Sequence, residues 1–175
     1  MRRILAFFIV FSVFSTAFAD NIDGFYKMKF GMSEDQVKTI AHNYNFNAIN
    51  KSIISDDLVY IEFMPFEKFS FFDNEIYGMT CYFCDGYLVN ISLMFIDIKD
   101  HQAMRDNIFN KFPYLEYFSG KDFSMKFKDT GSKNYLEVII LPQNDHVVFG
   151  LNFEENIAFT ARRSFENQNN SNQSE

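Results

Sequence analysis

Large apolar residues alternate with polar ones in two segments of this chain, and the two segments match each other at a constant offset. Four such residues occupy alternate positions of each segment: Val89, Ile91, Leu93 and Phe95, then Val147, Phe149, Leu151 and Phe153. A period of two is typical of a β-strand with one buried face. The pattern therefore predicts two strands that hold corresponding places in two halves of the chain.

Similar elements precede these strands in both halves. Asp85-Gly86 is a strong signal for a two-residue hairpin turn, and a second hairpin is predicted around residues 142–145. Each half then reads helix, strand, hairpin, which predicts an α+β fold: a mostly antiparallel sheet with two helices on one face. Two α-β-β-β repeats are one interpretation. The other is the alternation that any α+β chain shows, because the helices align with a different offset than the hairpins.

The two predicted helices have clear boundaries. Ser33 is an N-cap residue, and Gln36 three positions later completes a capping box. Apolar residues follow at helical spacing: Val37, Ile40, Ala41 and Tyr44. The second helix is predicted from Asp100 to Lys111, and Pro113 prevents its continuation. Its apolar face is formed by three residues: Met104, Ile108 and Phe112.

The N-terminal residues predict export. Arg2 and Arg3 precede an apolar run over residues 4–14, and residues 17–19 (AFA) fit the rule for signal peptidase cleavage between Ala19 and Asp20. The run is too short to span a bilayer, so we expect no stable membrane insertion after cleavage. The residue directly after the cleavage site is Asp20 and not a cysteine, which disfavours a lipid anchor. The expected location is periplasmic or secreted.

Length and composition predict one domain. Residues 1–19 are the expected signal peptide, residues 20–165 a single α+β domain, and the polar residues 166–175 (ENQNNSNQSE) a disordered tail. Cleavage leaves 175 − 19 = 156 residues, which is enough for one core without a metal or disulfide. It also leaves 14 basic against 23 acidic residues, a net charge of −9. Such a chain is repelled by phosphate backbones, so nucleic-acid binding is not expected.

Cys81 and Cys84 form a C-x-x-C pattern, which raises the possibility of a disulfide or a redox pair. In thioredoxin-like proteins this motif opens a helix that stabilises the thiolate, whereas here a hairpin turn and a strand follow. In an extended strand the two Cα atoms would lie about 10 Å apart, too far for a disulfide. Three interpretations stay open: inert thiols, a strained structural disulfide and a redox site.

No pattern predicts a cofactor, a metal ion or catalysis. The three histidines, His42, His101 and His146, have no ligand spacing between them, and neither cysteine completes a zinc site. The carboxylate pairs at 56–57 and 154–155 consist of adjacent residues, whose side chains point apart. No phosphate-binding glycine loop or nucleophile elbow is present.

Residues 30–37 (FGMSEDQV) resemble the opening of small exported bacterial proteins with a G-M/T-S/T-x-x-x-V phrase. These include the outer-membrane assembly lipoprotein BamE and the modules similar to β-lactamase-inhibitor protein. The resemblance implies a compact α+β domain that binds other proteins and has no catalytic activity. It assigns no binding residue. The lipid-anchoring cysteine of BamE-type proteins is missing here.

Three functions are therefore considered. The first is a non-enzymatic module that binds a protein partner through its sheet face or hairpin loops, for which we expect an exposed apolar patch and no cavity. The second is a carrier of a small apolar ligand, with an enclosed aromatic-lined pocket between the helices and the sheet. The third is a thiol oxidoreductase, which needs an accessible thiol of lowered pKa. The expected mature chain keeps 19 of the 24 Phe and all 9 Tyr, more rings than one small core requires.

Overall fold

The computed structural model describes residues 22–113, 115–121, 124–129, 134–139 and 145–151. The expected signal peptide and the polar tail lie outside them. Two helices are present in this part of the chain, α1 (Glu34–Asn43) and α2 (His101–Lys111). The strands in chain order are β1 (Gly24–Phe25), β2 (Met28–Lys29), β3 (Phe46–Ser55), β4 (Leu58–Pro65), β5 (Phe69–Phe71), β6 (Asn74–Cys84), β7 (Tyr87–Phe95), β8 (Leu115–Lys121), β9 (Ser124–Asp129), β10 (Tyr135–Ile139) and β11 (Asp145–Gly150).

One large antiparallel sheet dominates the fold. Its strands follow the order β3-β4-β6-β7-β11-β10-β9-β8, and β5 pairs with the first residues of β6. β1 and β2 form a separate small hairpin. The predicted α+β class is confirmed, and Asp85 and Gly86 both adopt positive φ in the tight turn between β6 and β7.

The strand order is symmetric about the β7–β11 pair. In the first half α1 is followed by β3, β4, β6 and β7, and in the second half α2 is followed by β8, β9, β10 and β11. Ile91 lies directly opposite Phe149, its match in the sequence pattern, and Leu93 lies opposite Val147. The offset seen in the sequence therefore relates the two strands that join the halves. Each half, as far as it is described, has one edge strand more than the three predicted, and the first half also contains the three-residue strand β5.

The additional strands are the edge strands β3 and β8, which have no clean alternation. Two register shifts interrupt β3, next to Ile49 and Ile54, and almost all of its residues are exposed. β5 and its turn lie between β4 and β6, and the described part of the second half shows no counterpart. This insertion lengthens the first half, which explains why the two helices are offset by more than the matched strands β7 and β11 are.

The core lies on one face of the sheet, under both helices. Val37 and Ala41 of α1, and Met104 and Ile108 of α2, are buried in the same cluster as the inward-facing strand residues. The capping box at Ser33 is confirmed: its Oγ accepts from the Gln36 N–H, and the Gln36 Oε1 accepts from the Ser33 N–H at 2.9 Å. The β1–β2 hairpin covers the same face with Phe25 and Met28.

Candidate functional site

The opposite face of the sheet, here called the open face, has no described helix packed on it. Thr80 and Ser92 are buried on it and the other members are half-buried. The open face comprises the strand positions that alternate with the core positions: Tyr60, Glu62, Thr80, Tyr82, Asn90, Ser92, Met94, Lys126, Tyr135, Glu137, Ile139, His146 and Val148. Antiparallel sheets commonly leave one face to solvent with polar residues. This face differs because it also presents aromatic and aliphatic side chains.

A depression of about 540 Å³ lies in the centre of the open face. It is lined mainly by strands β6, β7, β10 and β11: Leu58, Thr80, Tyr82, Cys84, Val89, Asn90, Ser92, Tyr135, Glu137, Ile139, His146 and Val148. Val89 was predicted to share the core face with Ile91. Val89 is buried in the core cluster, and because a β-bulge shifts the register between Tyr82 and Phe83, it also lines the depression.

Two neighbouring tyrosines lie on the open face, and one of them, Tyr82, lines the depression. The rings of Tyr60 and Tyr82 lie on paired positions of β4 and β6, with centroids 5.8 Å apart. Burial, and then the proximity of Tyr60 and Glu62, raises the pKa of Tyr82. The Tyr82 hydroxyl is therefore neutral at physiological pH and can both donate and accept a hydrogen bond.

A third tyrosine, Tyr135, is held in a defined position. A Cβ atom on Gly150, its partner on β11, would collide with the Tyr135 ring, so the ring lies against the glycine backbone. Asn90 donates from Nδ2 to the Tyr135 hydroxyl at 3.2 Å, and the Lys126 Nζ lies 4.3 Å from the ring centroid. The ring is thus fixed by contacts on several sides.

Ser92 and His146 form a hydrogen-bonded pair in the depression. The Ser92 Oγ lies 3.1 Å from the His146 Nδ1, although the residues are 54 positions apart in the chain. Burial lowers the pKa of His146, an effect that the charge of Asp145 partly opposes. A serine next to a neutral imidazole is the first part of a nucleophile–base arrangement. The backbone amides around Ser92 bond with β6 and β11, so they are not available as oxyanion donors. The pair is therefore suited to binding polar groups.

Sequence reasoning missed the tyrosines and the Ser92–His146 pair. Tyr60, Tyr82 and Tyr135 lie on three different strands, and Tyr82 occupies only an unspecified position of the C-x-x-C pattern. One signal could have indicated them. Each tyrosine alternates with core residues along its strand, on the face where a solvated strand usually has polar residues.

Cys81 and Cys84 are both present as thiols on β6. Cys81 is fully buried on the core face between Ile61 and Ile91, and this burial strongly raises the pKa of its thiol. A redox nucleophile needs the opposite shift. Cys84 is half-buried at the end of the strand, beside the depression.

The other residues considered from the sequence are dispersed. His42 lies on α1 with its Nδ1 3.3 Å from the Asn47 Oδ1, and the His101 Nε2 lies 3.2 Å from the Asp145 Oδ2 on the core side of the sheet. The carboxylates at 56–57 form the β3–β4 turn, whereas those at 154–155 lie outside the described residues. Among the residues that the structure describes, no group of three or more potential ligands could hold a metal ion.

The described residues contain an exposed apolar patch, which was expected of a binding module, and an aromatic-lined cavity that is half-open and not enclosed as expected of a carrier. Large apolar side chains are exposed on or near the first edge of the sheet: Ile49, Ile53, Ile54, Met64 and Phe66. A half-open cavity of about 710 Å³ lies on the other side of the molecule, beside the β1–β2 hairpin. The presence or absence of a cavity therefore does not distinguish a protein-binding module from a small-molecule carrier.

No protein-family model, curated protein or solved structure matches this chain. The resemblance to BamE-type proteins thus rests on residues 30–37 alone. Within the described residues, neither helix is long and apolar enough to cross a membrane.

Proposed function

We propose that this protein is an exported, non-enzymatic module that binds a protein partner of the cell envelope through its open face. The observation that supports it best is a sheet face with no described helix on it, where Tyr82 and Tyr135 line a depression of about 540 Å³ and Tyr60 packs beside Tyr82. The expected signal peptide and the resemblance of residues 30–37 point in the same direction.

The chemistry of the open face suits a protein surface. Tyrosine and methionine are enriched at protein interfaces, because they combine apolar area with a polar or adaptable end. Tyr135 is already ordered by Asn90 and Lys126, so binding would cost little side-chain entropy there. Met94 lies over Gly78 and provides a flexible apolar contact nearby.

The charges of the open face also favour a protein partner over a polyanion. The chain as a whole has a net charge of −7, but the open face has both signs. The Lys126 Nζ lies 3.9 Å from the Glu137 Oε2 in an ion pair between neighbouring strands. Mixed charges at the margin of an interface fix its register more than they add affinity.

Site-specific photo-crosslinking in the native envelope tests this proposal. A benzophenone amino acid replaces Tyr60 in one variant and Phe66 in the matched control. Phe66 is an exposed aromatic residue that contacts His42 of α1, away from the open face. We expect a single discrete adduct from position 60 and none from position 66.

A second substitution links the adduct to the open face. In the Tyr60 crosslinker variant, Tyr82→Glu places a charge beside the probe at a half-buried position. We expect at least a tenfold loss of adduct, or about 1.4 kcal/mol of binding free energy, in a variant that thermal unfolding shows to be folded. Equal adducts at both positions, or an adduct that survives Tyr82→Glu, would refute the proposal.

A further inference from the structure

We infer that the cavity beside the β1–β2 hairpin binds an amphipathic anion, with a hydrocarbon body and one carboxylate, of the fatty-acid class. This site is separate from the open face, since it lies on the side of the sheet that the helices cover. Its occupation requires no protein partner. At about 710 Å³ the cavity falls within the range of small-molecule sites.

The cavity has an aromatic wall that comes from four different elements. The Phe149 ring of β11 is central, with ring centroids of Phe25, Phe71 and Phe112 at 5.5, 6.0 and 6.4 Å. The Phe72 ring lies 4.2 Å from that of Phe71 and extends the wall toward solvent. Phe25, Phe112 and Phe149 are buried, so the half-buried Phe71 and Phe72 present the accessible part of the wall. These rings favour an apolar ligand body, because hydrocarbon packed on them removes apolar area from water.

Two aromatic residues of the wall lie in turns with left-handed backbone. Tyr26 has a φ of 52° in the β1–β2 turn, and Phe72 has a φ of 48° in the β5–β6 turn. Asparagine, aspartate and glycine adopt this conformation more readily than a bulky ring does. The aromatic side chains are therefore present at positions where the backbone alone would favour small residues. Tyr26 is 49% exposed at the mouth of the cavity.

The rim of the cavity is cationic in a protein that is acidic overall. Among the described lining residues, Lys27 is exposed at the rim, and Lys29 forms an ion pair with Asp23. The chain has a net charge of −7, so the exposed positive charge of Lys27 opposes the general field. Lysines beside an aromatic wall complement a carboxylate head on an apolar body.

Displacement of a fluorescent fatty acid tests the inference on the expected mature chain from Asp20 onward. cis-Parinaric acid is bound first and then displaced by dodecanoate or by dodecyltrimethylammonium, which share a tail and differ in the sign of the head. We expect saturable binding of one probe per chain, with dodecanoate at least tenfold more effective. Absence of saturable binding, or equal displacement by the two competitors, would overturn the inference.

Two substitutions locate the binding in the cavity. Ser70→Trp adds an indole at an exposed position of the rim, and Ser55→Trp makes the same change at an exposed position of β3 that does not line the cavity. We expect Ser70→Trp to weaken probe binding at least tenfold and Ser55→Trp to leave it unchanged. Equal effects would place the probe elsewhere and refute the site.

A charge reversal tests the cationic rim. Lys27→Glu is compared with Lys99→Glu, an exposed lysine outside the lining that produces the same change in net charge. Lys27→Glu should reduce the preference for dodecanoate over dodecyltrimethylammonium at least threefold, whereas Lys99→Glu should not change it. An unchanged preference in Lys27→Glu would show that the rim does not select an anion. Thermal unfolding of each variant confirms that it is folded.

Discussion

At the scale of single residues, the environment of a side chain decides its chemistry more than its type does. Cys81 and Cys84 lie three positions apart, yet one thiol is fully buried in the core and the other borders the depression of the open face. The three histidines likewise have different partners, Asn47, Asp145 and Ser92. Only His146 lines the open face. Their positions in the sequence could not distinguish them, since these partners come from tertiary contacts.

His146 should make stability depend on pH. Burial lowers its pKa in the folded state below the ordinary value of about 6.5. At a pH between these two pKa values, the unfolded chain therefore binds more protons than the folded chain. Its contribution is therefore complete above about pH 6.5 and is lost as the pH falls through the lower folded pKa. Urea denaturation at about pH 7.5 and about pH 5.5 should show a lower unfolding free energy at the acidic value.

His146→Gln should reduce that difference, because glutamine does not titrate. His42→Gln is the matched control on α1, where the imidazole is exposed. An identical pH dependence in His146→Gln and the unsubstituted chain would contradict the assignment.

At the scale of elements, the capping box and the two-residue turn show how much local sequence can specify. α1 begins where Ser33 and Gln36 predict, and β6 turns into β7 at Asp85-Gly86. The edge strand β3 was missed because its bulges and exposure remove the alternation. A contact between strands that requires a glycine, because no side chain would fit there, also gives no signal in the sequence. Tyr135 packs against Gly150 only because β10 and β11 pair in the observed register.

Gly150→Ala should displace the Tyr135 ring. The φ of Gly150 is not in the left-handed region, so the cost arises from the collision with the ring and the loss of the bond from Asn90. We expect destabilisation by about 1–3 kcal/mol, measured by urea denaturation.

The double variant Gly150→Ala/Tyr135→Ala provides the control. Without the tyrosine ring, the added methyl group should cost less than about 0.5 kcal/mol relative to Tyr135→Ala. Additive effects of the two substitutions would show that the ring does not depend on the glycine.

At the scale of the whole molecule, the β7–β11 pair joins two similar halves into one sheet. Ile91 and Phe149 lie opposite each other at this junction, and Phe149 also contacts rings from the β1–β2 hairpin, β5 and the end of α2. The two proposed binding sites lie on opposite faces of this sheet. Because one core includes both helices, we expect the halves to unfold together.

Phe149→Ala should destabilise the entire fold by about 3–5 kcal/mol, because it leaves a cavity in the core where the halves meet. Phe66→Ala, at a ring that is 51% exposed, should cost less than about 1 kcal/mol. Urea denaturation followed by circular dichroism should show a single transition in both variants. Separate transitions for the two halves would contradict a shared core.

The sequence by itself determined the features that depend on near neighbours in the chain. These are the alternation of the central strands, the start of α1, the tight turn at Asp85-Gly86 and the α+β class that follows from them. The constant offset between the two alternating segments was also visible in the sequence, but its meaning was not. Only the pairing of β7 with β11 shows that it marks the junction of the two halves.

Tertiary structure alone decided where the candidate sites lie. Ser92 meets His146, and Tyr135 meets Asn90, through strand registers set by the burial of whole faces. The aromatic cavity likewise combines rings from distant elements around Phe149. Such contacts depend on long-range packing, which no local pattern encodes, because a strand shows only which residues share a face and not what covers that face.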